Sequence, residues 1–237
     1  CTLLFALWVA YTGSSAFYMG TPNIRLVAQT AQNFFITLTF MQIGAVLLVG
    51  PAIIAGTIAQ ERQRRTIEYL FATDLKNSEI VLGKLGARLV HLFFIVLVGL
   101  PVVAITRMMG GVSTPIMLQA FIITLSTIAW VGSVSICVSV FAPRARDGLT
   151  RAYLWLIGML VVPGIVVSLI QVLSGFTWMV DPELMLVAQM YNPFVAFSAV
   201  MYGEASTILY GPWAAVGALL VEQLLISAVC LLWAVVS

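Results

Sequence analysis

The sequence predicts an all-α polytopic membrane protein with six transmembrane helices. Of its 237 residues, 62% are hydrophobic and only 8% are charged, whereas soluble domains carry about 25% charged residues. The mean hydropathy is +1.08, so the chain cannot cover itself with a water-compatible surface and is expected to be solvated by lipid. Six apolar segments approach the ~20 residues that an α-helix needs to cross a bilayer. The alternating pattern of a membrane β-barrel is absent, so helices are expected.

The predicted spans also show where helices pack or bend. The first starts at Cys1, and we expect it to be the remainder of a membrane helix, because the basic region of a signal peptide is absent. By sequence number the six spans are residues 1–19, 35–59, 85–106, 115–141, 152–173 and 212–236. Small residues at Ser135-x-x-x-Ser139 in the fourth span favour close packing of helices. The dipeptide Gly50-Pro51 predicts a weakened or kinked second helix.

Basic residues predict the orientation of the helices. The connection between the second and third spans, with the start of the third, holds six of the 11 basic residues. The connection after the fourth span holds Arg144, Arg146 and Arg151, and the others contain only Arg25 and Arg107. Basic loops tend to stay in the cytoplasm. Both basic connections and both chain ends are therefore expected there, in a multi-pass protein of the cell (plasma or inner) membrane.

The cysteines and the histidine indicate no metal or redox chemistry. Cys1, Cys137 and Cys230 lie in apolar runs, so no disulfide framework or metal cluster is implied, and small buried side chains are the favoured interpretation. His91, the only histidine, lies less than two turns into the third span, where a structural role is favoured over ligation. The net charge of +2 is too small to suggest nucleic acid. The sequence therefore predicts no cofactor and no nucleic-acid partner.

Motifs for catalysis are absent from the sequence. The nearest approach to a phosphate-binding loop is Gly83-Lys84-Leu85, which lacks the upstream glycine and the hydroxyl residue of that motif. No His-Glu-x-x-His zinc motif and no Gly-x-Ser-x-Gly nucleophile elbow occurs. An intramembrane enzyme would need paired acids or a nucleophile beside a base, and neither is evident. The chain is therefore predicted to be non-catalytic.

One long polar stretch, residues 60–84, interrupts the apolar sequence. It carries nine charged side chains, out of 11 basic and 9 acidic ones in the whole chain. If residues 61–75 form a helix, Glu61 and Arg65 lie on a charged face and Leu70 on an apolar one. Residues typical of turns follow, and then a second helix that would run into the third span. A juxtamembrane loop that contacts anionic lipid is one interpretation, but a partly apolar face beside charges of both signs favours a protein partner.

This stretch resembles a known family. Residues 56–85, GTIAQERQRRTIEYLFATDLKNSEIVLGKL, are similar to the segment between the second and third helices of type-2 ABC transporter permeases, and the six spans follow in the same order. The matching residues are Glu61, Arg62, Thr66, Ile67, Glu68, Leu70, Thr73, Leu75, Ser78, Glu79, Ile80, Gly83 and Lys84. The sequence departs from the family pattern at Arg65, where glycine is common, and at Asp74, where proline is common.

The resemblance implies one transmembrane permease domain over residues 1–237, forming the substrate pathway of an ATP-binding cassette exporter. Residues 60–84 would be a cytoplasmic coupling segment whose coupling helix docks on a separate ATPase subunit, which binds the ATP. Residues 174–211 would be an external loop with a re-entrant or interfacial helix. A second permease copy or a paralogue would complete the pore within the lipid bilayer. The implied coupling residues are Glu61, Arg62, Arg65, Thr66, Ile67, Glu68, Leu70, Phe71 and Thr73.

An ATP-independent secondary transporter is the alternative function. Such proteins are often built from inverted repeats with helices broken near the middle of the membrane. Gly50-Pro51 and Pro163-Gly164 are compatible with such breaks. No clear self-similarity relates the first three spans to the last three. Dependence of transport on ATP or on an ion gradient would separate the two functions.

Glu222 and Gln223 are polar residues that the sequence places deep in the membrane. Glu222 lies ten residues into the sixth span, a depth of about 15 Å at 1.5 Å per residue. A charged side chain there costs at least about 2.5–3.5 kcal/mol on insertion scales, so we expect it to face the bundle interior and to have a partner. Serines of the fourth span are possible donors. Two interpretations stay open, a structural hydrogen bond between helices and a role in the substrate pathway or dimer interface.

Overall fold

The described part of the chain is helical throughout its regular structure. The computed structural model describes residues 24–63, 77–108, 110–142, 144–173, 189–202 and 213–236. The helices in these ranges, numbered in chain order, are α1 (Ile24–Gln63), α2 (Asn77–Met108), α3 (Thr114–Val140), α4 (Ala145–Leu173), α5 (Pro193–Tyr202) and α6 (Ala214–Val236). No strand occurs among these residues, in agreement with the predicted fold class.

Four of the described helices are long and apolar enough to cross a membrane. They are the segments Val27–Ala55, Thr114–Val140, Arg146–Ile170 and Ala214–Val235, which correspond to the predicted second, fourth, fifth and sixth spans. The third predicted span falls on α2, whose apolar segment Leu85–Gly99 is shorter than a full crossing. The first lies outside the described residues. The chain is thus a multi-pass membrane protein, and its six-span topology stays a prediction.

The helices extend beyond the apolar runs from which they were predicted. α1 has 40 residues and begins at Ile24, well before the predicted start at residue 35. α4 begins at Ala145, so most of the basic connection after α3 is already helical. Glutamine, glutamate and arginine are good helix formers, so polar residues lower the hydropathy of a segment without ending the helix. α2 begins at Asn77, where the sequence predicted a new helix.

α3 forms the centre of the described bundle. It packs against each of the other five described helices. In its most apolar 18-residue segment, 78% of the residues are buried, compared with 6% in the corresponding segment of α4. The exposed side of α4 carries large apolar side chains, among them Leu154, Ile157, Val161, Ile165 and Leu169. Such a surface is suited to lipid rather than water. α3 is therefore the protein core of the bundle, while α4 lies at its periphery.

Small residues let neighbouring helices approach α3 closely, as the Ser135-x-x-x-Ser139 pattern predicts. Both serines are buried, and the Ser139 hydroxyl donates to the Ala55 carbonyl of α1 at 2.6 Å. A Cβ added at Gly132 would lie 2.7 Å from the Leu89 side chain of α2. Contacts between small residues replace the hydrophobic effect as a driving force for helix association inside a bilayer.

The two intramembrane prolines lie inside continuous helices. Neither the predicted weak point at Gly50-Pro51 nor Pro163 ends its helix. The Tyr153 hydroxyl of α4 donates to the Leu48 carbonyl of α1, next to the Leu47 carbonyl that Pro51 leaves without its helical partner. This contact joins α1 to α4 near the proline. The helix breaks that the secondary-transporter interpretation invoked are therefore absent at these positions in α1 and α4.

α5 is a short helix within the stretch that was predicted to be external. The Asn192 side chain accepts a hydrogen bond from the backbone N–H of Phe194 at 3.0 Å, which caps the first turn. Phe194 stacks on Phe40 of α1 at 5.9 Å between ring centroids, and Phe197 packs edge-on against the same ring at 5.1 Å. Ten residues make a helix about 15 Å long, half the hydrocarbon thickness. Its re-entrant or interfacial placement stays a prediction.

Candidate functional site

The predicted coupling segment is only partly within the described residues. Glu61 and Arg62 lie in the last turn of α1, which ends at Gln63. Arg65, Thr66, Ile67, Glu68, Leu70, Phe71 and Thr73 lie outside the described residues. α2 begins at Asn77, so the segment connects the end of one long helix to the start of another. Its coupling role stays a prediction.

Gln223 joins three elements inside the membrane. Its side chain is 1% exposed, and its carbonyl oxygen accepts a hydrogen bond from the Ser126 hydroxyl of α3 at 2.6 Å. Its amide group donates to the backbone carbonyl of Tyr191, in the turn before α5, at 3.1 Å. Because a polar side chain in an apolar environment is costly unless hydrogen-bonded, these contacts fix α6 against α3 and the α5 turn.

Tyr191 in turn satisfies a carbonyl that a proline has left free. Pro163 has no N–H, so the Met159 carbonyl four residues earlier lacks its helical partner. The Tyr191 hydroxyl donates to that carbonyl at 2.5 Å. The same residue contacts Gln223 through its backbone oxygen. Tyr191 thus connects the middle of α4 to the middle of α6.

Glu222 belongs to the same cluster but is bonded differently from what was expected. It is half-buried, and its carboxylate accepts a hydrogen bond from the backbone N–H of Tyr191. Its Oε2 atom is buried and has no hydrogen-bond partner among the described residues. Among the serines of the fourth span, which were considered as possible donors, Ser126 is bonded to Gln223. The partner of Glu222 is a backbone group, which no side-chain pattern could have indicated.

Three further polar groups of α3 and α6 are buried without partners among the described residues. They are the indole N–H of Trp130, one turn after Ser126 on α3, the hydroxyl of Ser135, farther along α3, and the hydroxyl of Ser227, one turn after Gln223 on α6. Leaving a buried donor or acceptor unpaired costs about 1–3 kcal/mol. Together with the Oε2 atom of Glu222, they give α3 and α6 three donors and an acceptor that a polar ligand could use. We call Ser126, Trp130, Tyr191, Glu222, Gln223 and Ser227 the intramembrane polar cluster.

A separate cavity of about 240 Å³ lies between α1, α2 and α3. Its wall is mainly apolar, with Phe35 and Val103 on it and Gln42 as a polar residue. The Gln42 amide donates to the Val96 carbonyl of α2 at 3.0 Å. A Cβ at Gly99 would lie 3.4 Å from that amide nitrogen, an ordinary contact distance. Apolar concavities with few polar groups are typical of small-molecule sites.

Sequence reasoning identified Glu222 and Gln223 but missed Tyr191. The available signal was Pro163, because an intramembrane proline always frees one carbonyl that needs a donor. The identity of that donor depends on how the turn before α5 folds back onto α4, which the linear pattern does not contain. Among the described residues no group of three or more His, Cys, Asp and Glu side chains could hold a metal ion.

Comparison with known proteins gives the family of this chain. A family model described as ABC-2 family transporter protein matches residues 3–236, which is nearly the whole chain. The chain belongs to the ABC-2 transporter family. The resemblance of residues 56–85 to type-2 ABC transporter permeases is thereby confirmed, and this permease is a membrane transport component. No curated protein matched the permease.

Proposed function

We propose that this permease is the membrane subunit of an ATP-binding cassette exporter, coupled to a separate cytoplasmic ATPase. It works with a second copy or a paralogue, in the cell membrane, with both ends in the cytoplasm. The observation that carries the proposal is the family match over residues 3–236. The sequence lacks a phosphate-binding loop, so ATP is bound and hydrolysed by the partner subunit.

The arrangement of α1 and α2 supports coupling through residues 60–84. These two helices flank the segment, and both pack directly on α3. α1 reaches the segment through an unbroken helix from Ile24 to Gln63. A force applied by an ATPase at this connection would therefore act on two rigid helices that contact the central one.

The intramembrane polar cluster is the part of the permease best suited to the substrate pathway. α3 carries Ser126, which bonds to Gln223 of α6, so a displacement of α3 changes this contact. Trp130, Glu222 and Ser227 each hold a buried polar atom with no partner in the described part of the chain, and these atoms can bind polar groups that pass between the helices. Intramembrane ionisable residues commonly mark substrate paths.

The proposal is tested by co-expressing the permease with a candidate P-loop ATPase from the same organism. We expect the two proteins to purify together and the reconstituted complex to hydrolyse ATP faster than the ATPase alone. A matched complex with the catalytic-site lysine of the ATPase replaced provides the zero-activity control. A permease that binds no ATPase and transports on an ion gradient alone would instead be a secondary transporter.

A further inference from the structure

Three sulfur atoms from three helices line one cavity. The cavity has a volume of about 210 Å³ and lies between α3, α4 and α6. Its wall contains Cys137 of α3, Met159 of α4 and Cys230 of α6. Both cysteines are free thiols, Cys137 buried and Cys230 half-buried. The two thiols are neighbours in the cavity wall, so one ion can reach both.

This donor set is selective for soft metal ions. Thiolate and thioether ligands favour Cu(I), whereas magnesium, calcium and manganese need carboxylate, carbonyl or water oxygens. The rest of the wall is largely apolar, including Val134, Val138 and Phe141. None of the described residues that line the cavity is acidic. A low-coordinate ion that is satisfied by sulfur alone is therefore the ion that fits.

Arg151 supplies the charge that such a site requires. When two thiols bind Cu(I), each loses a proton, and the resulting bis-thiolate complex carries one negative charge. Arg151 lines the same cavity, and its guanidinium donates to the Phe141 carbonyl at the end of α3 at 3.4 Å. A charge within a membrane protein is tolerable when an opposite charge accompanies it. The copper stays in the +1 state throughout, so no oxidant or reductant takes part.

We propose that Cys137, Met159 and Cys230 form a binding site for a soft monovalent metal ion, with Cu(I) as the representative ion. The site is distinct from the intramembrane polar cluster, and it does not depend on the proposed transport function. The competing occupant is the apolar part of a lipid, because Trp155 and Trp233 on the same wall are more than half exposed. The two occupants differ in what they need from the cavity, because a lipid chain needs volume whereas Cu(I) needs sulfur ligands.

The test uses the purified, fully reduced permease and Cu(I) supplied as a complex with a chromophoric chelator. We expect one Cu(I) per chain to move from the chelator to the permease. Cys137→Ser and Cys230→Ser should each weaken binding by at least about 100-fold, because even outer-shell partners contribute 10- to 100-fold to metal affinity. Met159→Leu should weaken it less, because a neutral thioether is the weaker donor.

Two matched controls test the assignment. Cys1→Ser removes the third cysteine, and Met108→Leu removes a methionine that is 89% exposed at the end of α2; both should bind Cu(I) like the parent. X-ray absorption of the loaded parent should show copper in the +1 state with sulfur ligands only, a readout that does not depend on how well the variants fold. Nitrogen or oxygen ligands would overturn the proposal. So would a parent that binds no Cu(I), including one that carries lipid in this cavity, or equal binding by a folded Cys137→Ser/Cys230→Ser variant.

Discussion

Glu222 is the residue whose substitution separates a structural role from a role in the pathway. Its carboxylate accepts the backbone N–H of Tyr191, and its Oε2 atom is buried without a partner among the described residues. Glu222→Gln keeps an oxygen for that N–H, so we expect its stability in detergent to match the parent. Glu222→Leu leaves the N–H unpaired, and we expect the free energy of unfolding to fall by about 1–3 kcal/mol.

Both variants are then measured for ATP turnover in the reconstituted complex. Reduced turnover in a stable Glu222→Gln variant would assign the carboxylate to the pathway, whereas normal turnover would make its role structural. A Glu222→Leu variant as stable as the parent would contradict the importance of the contact with Tyr191.

The Tyr191 hydroxyl bonds to a single carbonyl, so the contribution of this hydrogen bond to the free energy of unfolding can be measured. Tyr191→Phe removes the hydroxyl that bonds to the Met159 carbonyl, and we expect a loss of about 1–2 kcal/mol in the free energy of unfolding. Pro163→Ala restores a helical N–H to the same carbonyl. In the Pro163→Ala background, therefore, Tyr191→Phe should cost almost nothing.

The matched control for this cycle is Tyr153→Phe. Tyr153 lies in α4, as Pro163 does, but its hydroxyl bonds to the Leu48 carbonyl of α1. The loss in free energy of unfolding caused by Tyr153→Phe should be the same with and without Pro163. If Tyr191→Phe costs as much in the alanine background as in the parent, the hydroxyl does not compensate for the proline.

At the scale of the helices, the predicted orientation is testable with two exposed positions. Arg146, in the first turn of α4, is expected in the cytoplasm, and Ser113, just before α3, on the outer side. Single cysteines at these positions, in a variant without the three native ones, should differ in intact cells: an impermeant thiol reagent should label position 113 and not 146. Gly111 is unsuitable for this test, because a Cβ there would collide with the Ala28 carbonyl. The opposite labelling pattern would reverse the topology.

The helices were predictable to different degrees, for physical reasons. Hydropathy identified the crossings that fall on α1, α3, α4 and α6, because an uncharged run of about 20 apolar residues is typical of a membrane helix and rare in a soluble domain. It placed the start of α1 eleven residues too late, because Gln29, Gln32 and Asn33 reduce hydropathy without disfavouring the helix enough to end it. Gly50-Pro51 lies inside the continuous helix α1, and the weakening or kink predicted there stays a prediction.

At the scale of the whole molecule, the sequence predicted the family and two polar residues deep in the membrane more readily than the hydrogen-bond partners of those residues. Glu222 and Gln223 could be selected because polar residues deep in a membrane are costly. Their partners, Ser126 and the backbone of Tyr191, are 97 and 32 residues away from Gln223 in sequence. Such pairings follow from how α3, α6 and the turn before α5 meet. A single sequence contains composition and periodicity, but not these long-range contacts.

Residues 60–84 are proposed to connect the permease to an ATPase. Leu70 is predicted on the apolar face of that segment. A charge forced into an apolar protein groove without a partner costs several kcal/mol, so Leu70→Asp should abolish docking without changing membrane insertion. Leu70→Met keeps an apolar side chain of similar volume and serves as the control. Glu68→Lys reverses a charge on the opposite face and should weaken docking as well.

The most direct measurement is the amount of ATPase that purifies with each permease variant from solubilised membranes, normalised to the amount of permease recovered. The parent and Leu70→Met should retain the ATPase equally, while Leu70→Asp and Glu68→Lys should lose most of it, with all four permeases present in the membrane at similar levels. Equal ATPase recovery with all four permeases would contradict the account, and the charged stretch would then serve only to orient the protein in the membrane.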